Sequence, residues 1–421
     1  MAIVTEYYYP HLGGITEHVH HLALELRRRG HHVDVITSHI PGGEELPNVV
    51  RIGDSLIAPA NGSLARVTVG RGLRRAMRDA FERGRYDVVH VHAPLTPSLP
   101  MLAVEEARCA LVGTFHAYFD YSVAYIFGRR YFQRLMDRID AAIAVSTAAR
   151  DSAARYFDAE WTIIPNGVDT DLFHPAAAPP PLLEDGTPTV LYVGRFDPRN
   201  GLPALLEAFR LLRADGRDAR LVVVGDGPER DRYRALADGD PNVHFAGRVP
   251  DGLPGYYAGC TVYACPTVLG SFGITLLEAM ACGAPIACYD TPGFRNVVRD
   301  GREALMTTPG DTAALARSLA RLLDDDTLRA RMAAAGRTRA LGYAWPRVTD
   351  QVLGIYARAL ESAPAPLDAR RRLAVQADDR VAVEGMATDD GAAAGVAADD
   401  ITADDMAADG AAPGSARTGR A

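Results

Sequence analysis

The sequence predicts an α/β protein of two doubly wound, mostly parallel-sheet domains in series, facing one another across a cleft. Three features carry that expectation. Short apolar runs alternate with stretches of helical periodicity, the alternation pauses in a proline-rich segment near the middle, and it then restarts. Sheets of this kind bind ligands beyond the carboxyl ends of their strands, so two in series direct attention to the space between them.

Taken in order, Ala2–Glu6 is a first strand, closed by Tyr9-Pro10 and the turn His11-Leu12-Gly13-Gly14. Val19, Leu22, Ala23 and Leu26 follow at helical spacing up to Gly30, and His32–Ile36 resumes as strand. Further strands are expected at Val88–Val91, Ala110–Thr114 and Ala141–Val145. A breaker-rich run through Ile163–Pro175, then AAAPPPLLEDGTP, reads as an interdomain linker. The second series comprises Thr189–Val193, Leu221–Val224, Val243–Phe245, Val262–Ala264 and Pro285–Tyr289. This divides the chain into domains at 1–168 and 169–344, with a last helix at 345–361. Residues 362–421 lose all periodicity in favour of Ala, Asp, Gly and Thr, a composition that reads as a disordered acidic tail.

The 421 residues suffice for two domains, and 48% of them are hydrophobic. All 45 basic residues are arginine, so lysine has no part in any mechanism. The net charge of −8 resides almost wholly in the tail, where Asp378–Asp409 contains ten acidic residues and one arginine. The remainder is near neutral, which argues against a nucleic-acid partner. Five scattered cysteines, with no C-x-x-C pair, read as reduced core residues of a cytoplasmic protein. The N-terminus lacks the features of a signal peptide, and no run of about 18 apolar residues is present, so any membrane contact is expected to be peripheral.

Candidate chemistry sits at strand ends. Gly13-Gly14, between a first strand and first helix, suits a phosphate-binding turn, although an ordinary turn has the same composition. Arg195 in VGRFD directly follows a strand, where a guanidinium can grip a diphosphate; alone it is equally a surface arginine. Ser271-Phe272-Gly273-Ile274 opens an apolar helix whose first amides can face a phosphate, and Glu278 on that helix is placed to accept bonds from a ribose diol. Arg71, Arg74, Arg75 and Arg78 form a basic helix stripe beside Leu73, Met77 and Phe81, which suits an anionic lipid surface or simply a solvated face. No metal site is expected. Asp169-Thr170-Asp171 lies in the linker, His18, His20 and His21 diverge around a helix, and His90 and His92 share a strand face without an evident third ligand.

Together, YYPHLGGI, Ile164-Pro165-Asn166-Gly167-Val168-Asp169, VGRFDPRNGL, VVGDGPER and SFGITLLEAMACG resemble the family 4 retaining glycosyltransferases of the GT-B fold, over roughly residues 1–361. The resemblance implies an acceptor-binding first domain, a nucleotide-sugar-binding second domain and a final helix that crosses back to the first. Within the family, three stretches are similar to phosphatidylinositol mannosyltransferases, which implies transfer of mannose from GDP-mannose to a phospholipid-type acceptor at the inner membrane face. On that likeness Asn61, Ser63 and Arg66 would hold the lipid's inositol phosphate, and the HVHAP segment with His92 would form the acceptor wall. His116 would meet the transferred sugar, and Val249 and Asp251 the guanine base. Catalysis would rest on His116, Arg195 and Glu278, with no cofactor beyond the nucleotide-sugar substrate.

Two positions depart from the family pattern. Asn200 stands where a second basic residue is usual, so Arg199 is the candidate for that role. Gly270 occupies the place of the first of two glutamates separated by seven residues, leaving Glu278. A UDP-sugar donor with a non-lipid acceptor, a non-catalytic nucleotide-binding relative, and an epimerase on the same fold are the alternatives.

Overall fold

The computed structural model of the chain describes residues 1–362 except 12, 42–45, 61, 62, 250 and 251. Asn61, Asp251 and the tail from residue 363 therefore lie outside the described residues, and Ser63 is described in its backbone alone.

The first half runs β1 (Ala2–Val4), α1 (Gly14–Arg28), β2 (Asp34–His39), β3 (Val49–Ala60), β4 (Ser63–Val69), α2 (Leu73–Gly84), β5 (Val88–His92), α3 (Leu99–Glu106), β6 (Ala110–Phe115), α4 (Val123–Phe127), α5 (Arg129–Met136), β7 (Ala141–Ala144), α6 (Thr147–Ala154) and β8 (Trp161–Ile163). Its strands form one sheet in the order β4-β3-β2-β1-β5-β6-β7-β8. Every neighbouring pair is parallel except the β3–β4 hairpin at the edge. The inner strands are covered on both faces, and all five residues of β5 are buried, its three valines together with His90 and His92.

The second half continues with β9 (Thr189–Val193), α7 (Leu202–Ala214), β10 (Arg220–Val224), α8 (Arg230–Leu236), β11 (Val243–Gly247), α9 (Leu253–Gly259), β12 (Val262–Cys265), α10 (Ile274–Ala281), β13 (Ile286–Tyr289), β14 (Ala304–Thr307), α11 (Thr312–Asp324), α12 (Asp326–Leu341) and α13 (Trp345–Ser362). Here the sheet order is β11-β10-β9-β12-β13-β14, parallel throughout. Asp311 and Asp325 accept first-turn amide hydrogens to cap α11 and α12. Apolar cores fill both faces of this sheet, one around Leu276, Met280 and Tyr263, the other around Leu205, Phe209 and Leu319. At the ends of β9 and β10 the backbones nearly touch. Gly225 has φ +137°, and a Cβ there would stand 1.9 Å from the Gly194 carbonyl oxygen. Only glycine fits.

α13 returns to the first sheet. The Tyr356 hydroxyl meets His90 Nδ1 at 2.7 Å, and Arg29 bonds Asp350 at 2.6 Å and the Pro346 carbonyl at 2.7 Å. Among the described residues no helix is long and apolar enough to cross a membrane.

Candidate active site

A cavity of about 1660 Å³ opens beyond the carboxyl ends of β1 and β9–β12, lined from both halves. Residues after β1 supply Tyr7, Tyr9, His11, Gly13 and Gly14; residues after β9, β10 and β11 supply Arg195, Asp226 and Arg248. Gly13 precedes α1, and Gly14 opens it. A Cβ on Gly14 would lie 3.0 Å from Ile274 Cδ1 of the opposite half, so the small residue lets the starts of α1 and α10 approach.

Three arginines gather near His11. Arg66 reaches it directly, Nε to Nδ1 at 3.3 Å, and also bonds the Ser55 hydroxyl at 3.1 Å. Burial, then the charges of Arg66, Arg195 and Arg248, push the His11 pKa down to about 4. A neutral imidazole among three guanidinium groups marks a region built for an anion. Arg248 went unnoticed in the sequence because nothing local separates it from other arginines; Asp226, 3.7 Å away, is its acidic neighbour.

On α10, Ile274, Thr275 and Glu278 line the cavity. Glu278 accepts a 2.8 Å hydrogen bond from the Tyr257 hydroxyl, and burial raises its pKa to about 7. A second carboxylate, Glu17 of α1, also lines the cavity and accepts the Tyr9 hydroxyl at 2.9 Å. It too escaped the sequence reading.

Several expected residues are placed differently. Arg199 turns to Asp197, whose carboxylate oxygen accepts its backbone N–H at 3.1 Å and lies 3.3 Å from its Nε, while Asn200 takes the position at the cavity wall. Ser271 faces the first half: its hydroxyl accepts the Tyr118 N–H at 2.8 Å, and its carbonyl accepts the Ser146 hydroxyl at 2.6 Å. Phe272 is buried in the core around Leu276, and Gly273 caps α10 with φ +101°. Gly270 has no room for a side chain, since a Cβ would stand 2.5 Å from the Phe294 ring. Val249 lines the cavity.

His92, expected in the acceptor wall, is not among the residues that line the cavity. It is fully buried, with Nδ1 2.8 Å from His116 Nε2. His18 completes the group: its Nδ1 meets Asn166 Oδ1 at 2.7 Å, and its ring lies 5.0 Å from that of His116. Ring nitrogens of His18, His92 and His116 lie within 4.8 Å of one another, a third potential ligand that the separate motifs did not reveal. Burial lowers all three pKa values, His18 to about 4, so the cluster is neutral. His92 Nε2 has no hydrogen-bond partner among the described residues.

The basic stripe of α2 is partly neutralised. Arg74 pairs with Glu105 and Glu106, Arg78 lies 3.0 Å from Glu106, and Arg75 lies 3.8 Å from Asp79. Arg71 is exposed but is not part of the helical stripe, because α2 begins only at Leu73 after Gly72 in the left-handed conformation.

Comparison with known proteins agrees with this geometry. The Glycosyltransferase Family 4 model matches residues 12–172, and the glycosyl transferases group 1 model matches residues 176–339. The phosphatidyl-myo-inositol mannosyltransferase of Mycobacterium leprae is 35% identical over 362 residues, covering 85% of this chain and 96% of the relative. Among solved structures, sucrose-phosphate synthase from Thermosynechococcus elongatus is similar with TM-score 0.67 and 22% identity, over 86% of this chain and 99% of that one. Anabaena Alr3699/HepE in complex with UDP and glucose gives TM-score 0.65 and 20% identity, over 84% and 98%. These neighbours establish the fold as GT-B.

Proposed function

Because the chain belongs to glycosyltransferase family 4, we propose that it transfers mannose from GDP-mannose, with retention, to a phosphatidylinositol-type phospholipid. The observation that carries this reading is the meeting of Arg66, Arg195 and Arg248, from both halves, around His11 in one cavity. Moving a sugar from a diphosphate leaving group to a hydroxyl of a phosphate-bearing acceptor calls for positive charge on both sides of the cleft.

In this reading Arg195, Arg248 and the first turn of α10 stabilise charge growing on the leaving diphosphate, a role in which single donors contribute about 3 kcal/mol elsewhere. Glu278 takes the ribose diol, Val249 packs on the base, and Arg66 takes the acceptor phosphate. His116, fixed from behind by His92, contacts the sugar at the reacting centre. Diphosphate charge is met by arginine and helix dipoles, so no metal is assigned a step. The reading places the protein at the inner face of the plasma membrane, with Arg71 and Arg75 toward anionic headgroups.

Thermal melting with GDP, UDP, ADP and their sugars tests it. Ligand at a hundred times its dissociation constant adds about 2.7 kcal/mol. Selective stabilisation by GDP and GDP-mannose, followed by mannosyl transfer to vesicles containing phosphatidylinositol, is expected. Selectivity for UDP would move the assignment to another donor.

A further inference from the structure

α4 is composed of Val, Ala, Tyr, Ile and Phe, yet none of its residues is fully buried. Phe127 is 87% exposed, Val123 and Ile126 are each 55% exposed, and Tyr121 just before them is 68% exposed. Such a concentration of large apolar side chains on a surface marks an interaction site. The segment is held firmly. Tyr125 packs on Phe119, Phe132, Tyr156 and Phe157, with ring centroids 4.9–5.7 Å apart. The Ser122 N–H donates to the Tyr156 hydroxyl at 2.8 Å. Its outward residues are therefore presented by a packed base.

The charge beside this patch identifies the partner. Arg130 and Arg134 on α5 are exposed and form no ion pair among the described residues. Tyr131 of α5 donates to Glu105 at 2.9 Å, and the same Glu105 pairs with Arg74 of α2. α4, α5, α3 and α2 are thus neighbours in turn. Apolar side chains ready to enter an acyl layer, flanked by arginines at headgroup level, match an anionic bilayer better than a protein surface.

We propose that residues 121–134 form a second, apolar membrane-docking element, with Phe127 and Ile126 inserting between lipids while Arg130 and Arg134 hold anionic headgroups. With two of the α2 arginines tied to α3 carboxylates, this element supplies the greater part of the attachment. The inference deepens the lipid-acceptor reading and rests on it for its purpose, but vesicles without inositol lipid or donor test it separately.

The test is co-sedimentation of the full chain with phosphatidylcholine vesicles, with and without about a third phosphatidylglycerol. The parent should bind the anionic vesicles preferentially. I126D/F127D should weaken binding at least tenfold. R130E/R134E should weaken it at least 25-fold, from about fivefold for each arginine removed and more for reversal. All four side chains are exposed, so melting temperatures should remain near the parent's. Parent-like vesicle binding by both variants would overturn the proposal, as would a parent dimer that Phe127→Asp dissociates without changing vesicle binding. Loss of docking with intact GDP binding would separate this surface from the donor site, and intact docking without mannosyl transfer would leave this inference standing while refuting the proposed reaction.

Discussion

Replacing Glu278 with glutamine should reveal two opposite pH dependences that arise from one carboxyl. Burial lifts its pKa from the ordinary 4.5 to about 7; the Tyr257 hydroxyl opposes the rise, and the Glu17 carboxylate adds to it. The folded protein therefore retains a proton that the unfolded chain has released. This contribution to stability is fully present below about pH 4.5 and is lost as pH climbs through about 7. At about 1.36 kcal/mol per pH unit the bound is about 3 kcal/mol, and water reaching a partly exposed group reduces it. Nucleotide binding should run the other way, because a ribose diol donates to the ionised carboxylate. GDP affinity should rise between about pH 6 and 8 and then level off. In Glu278→Gln both slopes should flatten, and GDP should bind about 10–150-fold more weakly above pH 8, from about 1.5–3 kcal/mol for a hydrogen bond to a charged group. Thermal melting across this range, with and without GDP, reads both quantities. An unchanged apo slope would refute the buried-acid assignment, and unchanged GDP affinity would remove Glu278 from the donor site.

Arg248→Ala should lower the transfer rate about 100-fold, as loss of one preorganised donor does, with a normal melting temperature; steady-state kinetics check this. Gly225→Ala should prevent folding or lower the melting temperature sharply, because its Cβ would meet the Gly194 carbonyl at 1.9 Å. Tyr356→Phe should cost about 1–3 kcal/mol in chemical denaturation, since it leaves His90 Nδ1 buried without its 2.7 Å partner.

The two sheets were legible because parallel strands covered on both faces are short apolar runs, and Val88–Val91 and Leu221–Val224 are little else. The β3–β4 hairpin was not read. It adds to one edge and has no crossover helix, and β4 lies in the segment expected to be the acceptor loop. β8 was also missed, because Trp161–Ile163 runs directly into the breaker-rich segment taken as the linker, and so was β14. At the site, strand-end residues such as Arg195 could be found because strand, turn and helix follow in sequence. Arg248, Glu17 and His18 could not, since their roles arise when separate strand ends converge. The α2 stripe shows the reverse failure. Helical spacing put four arginines on one face, but their partners Glu105 and Glu106 belong to another helix.

The first half is already wired to the start of α10. His116 directly follows β6, and two residues later the Tyr118 N–H donates to Ser271, three residues before α10 begins. The carbonyl of the same Ser271 accepts from Ser146 at the start of α6, and Thr147 beside it bonds Asn296 at 2.9 Å. A ligand that draws on the first turn of α10 therefore acts on a segment tied to the loop carrying His116. His92 fixes the other side of that imidazole, and His90 behind it is tied to α13, the helix that joins the second half back to the first. The residues with the fewest alternatives are those at these junctions: Gly14, which leaves room for Ile274, and Gly270, whose missing side chain is replaced by the ring of Phe294. A glutamate introduced at 270 would displace that ring, so the absence of a carboxylate there is built into the packing ahead of α10 and cannot be reversed by a single substitution.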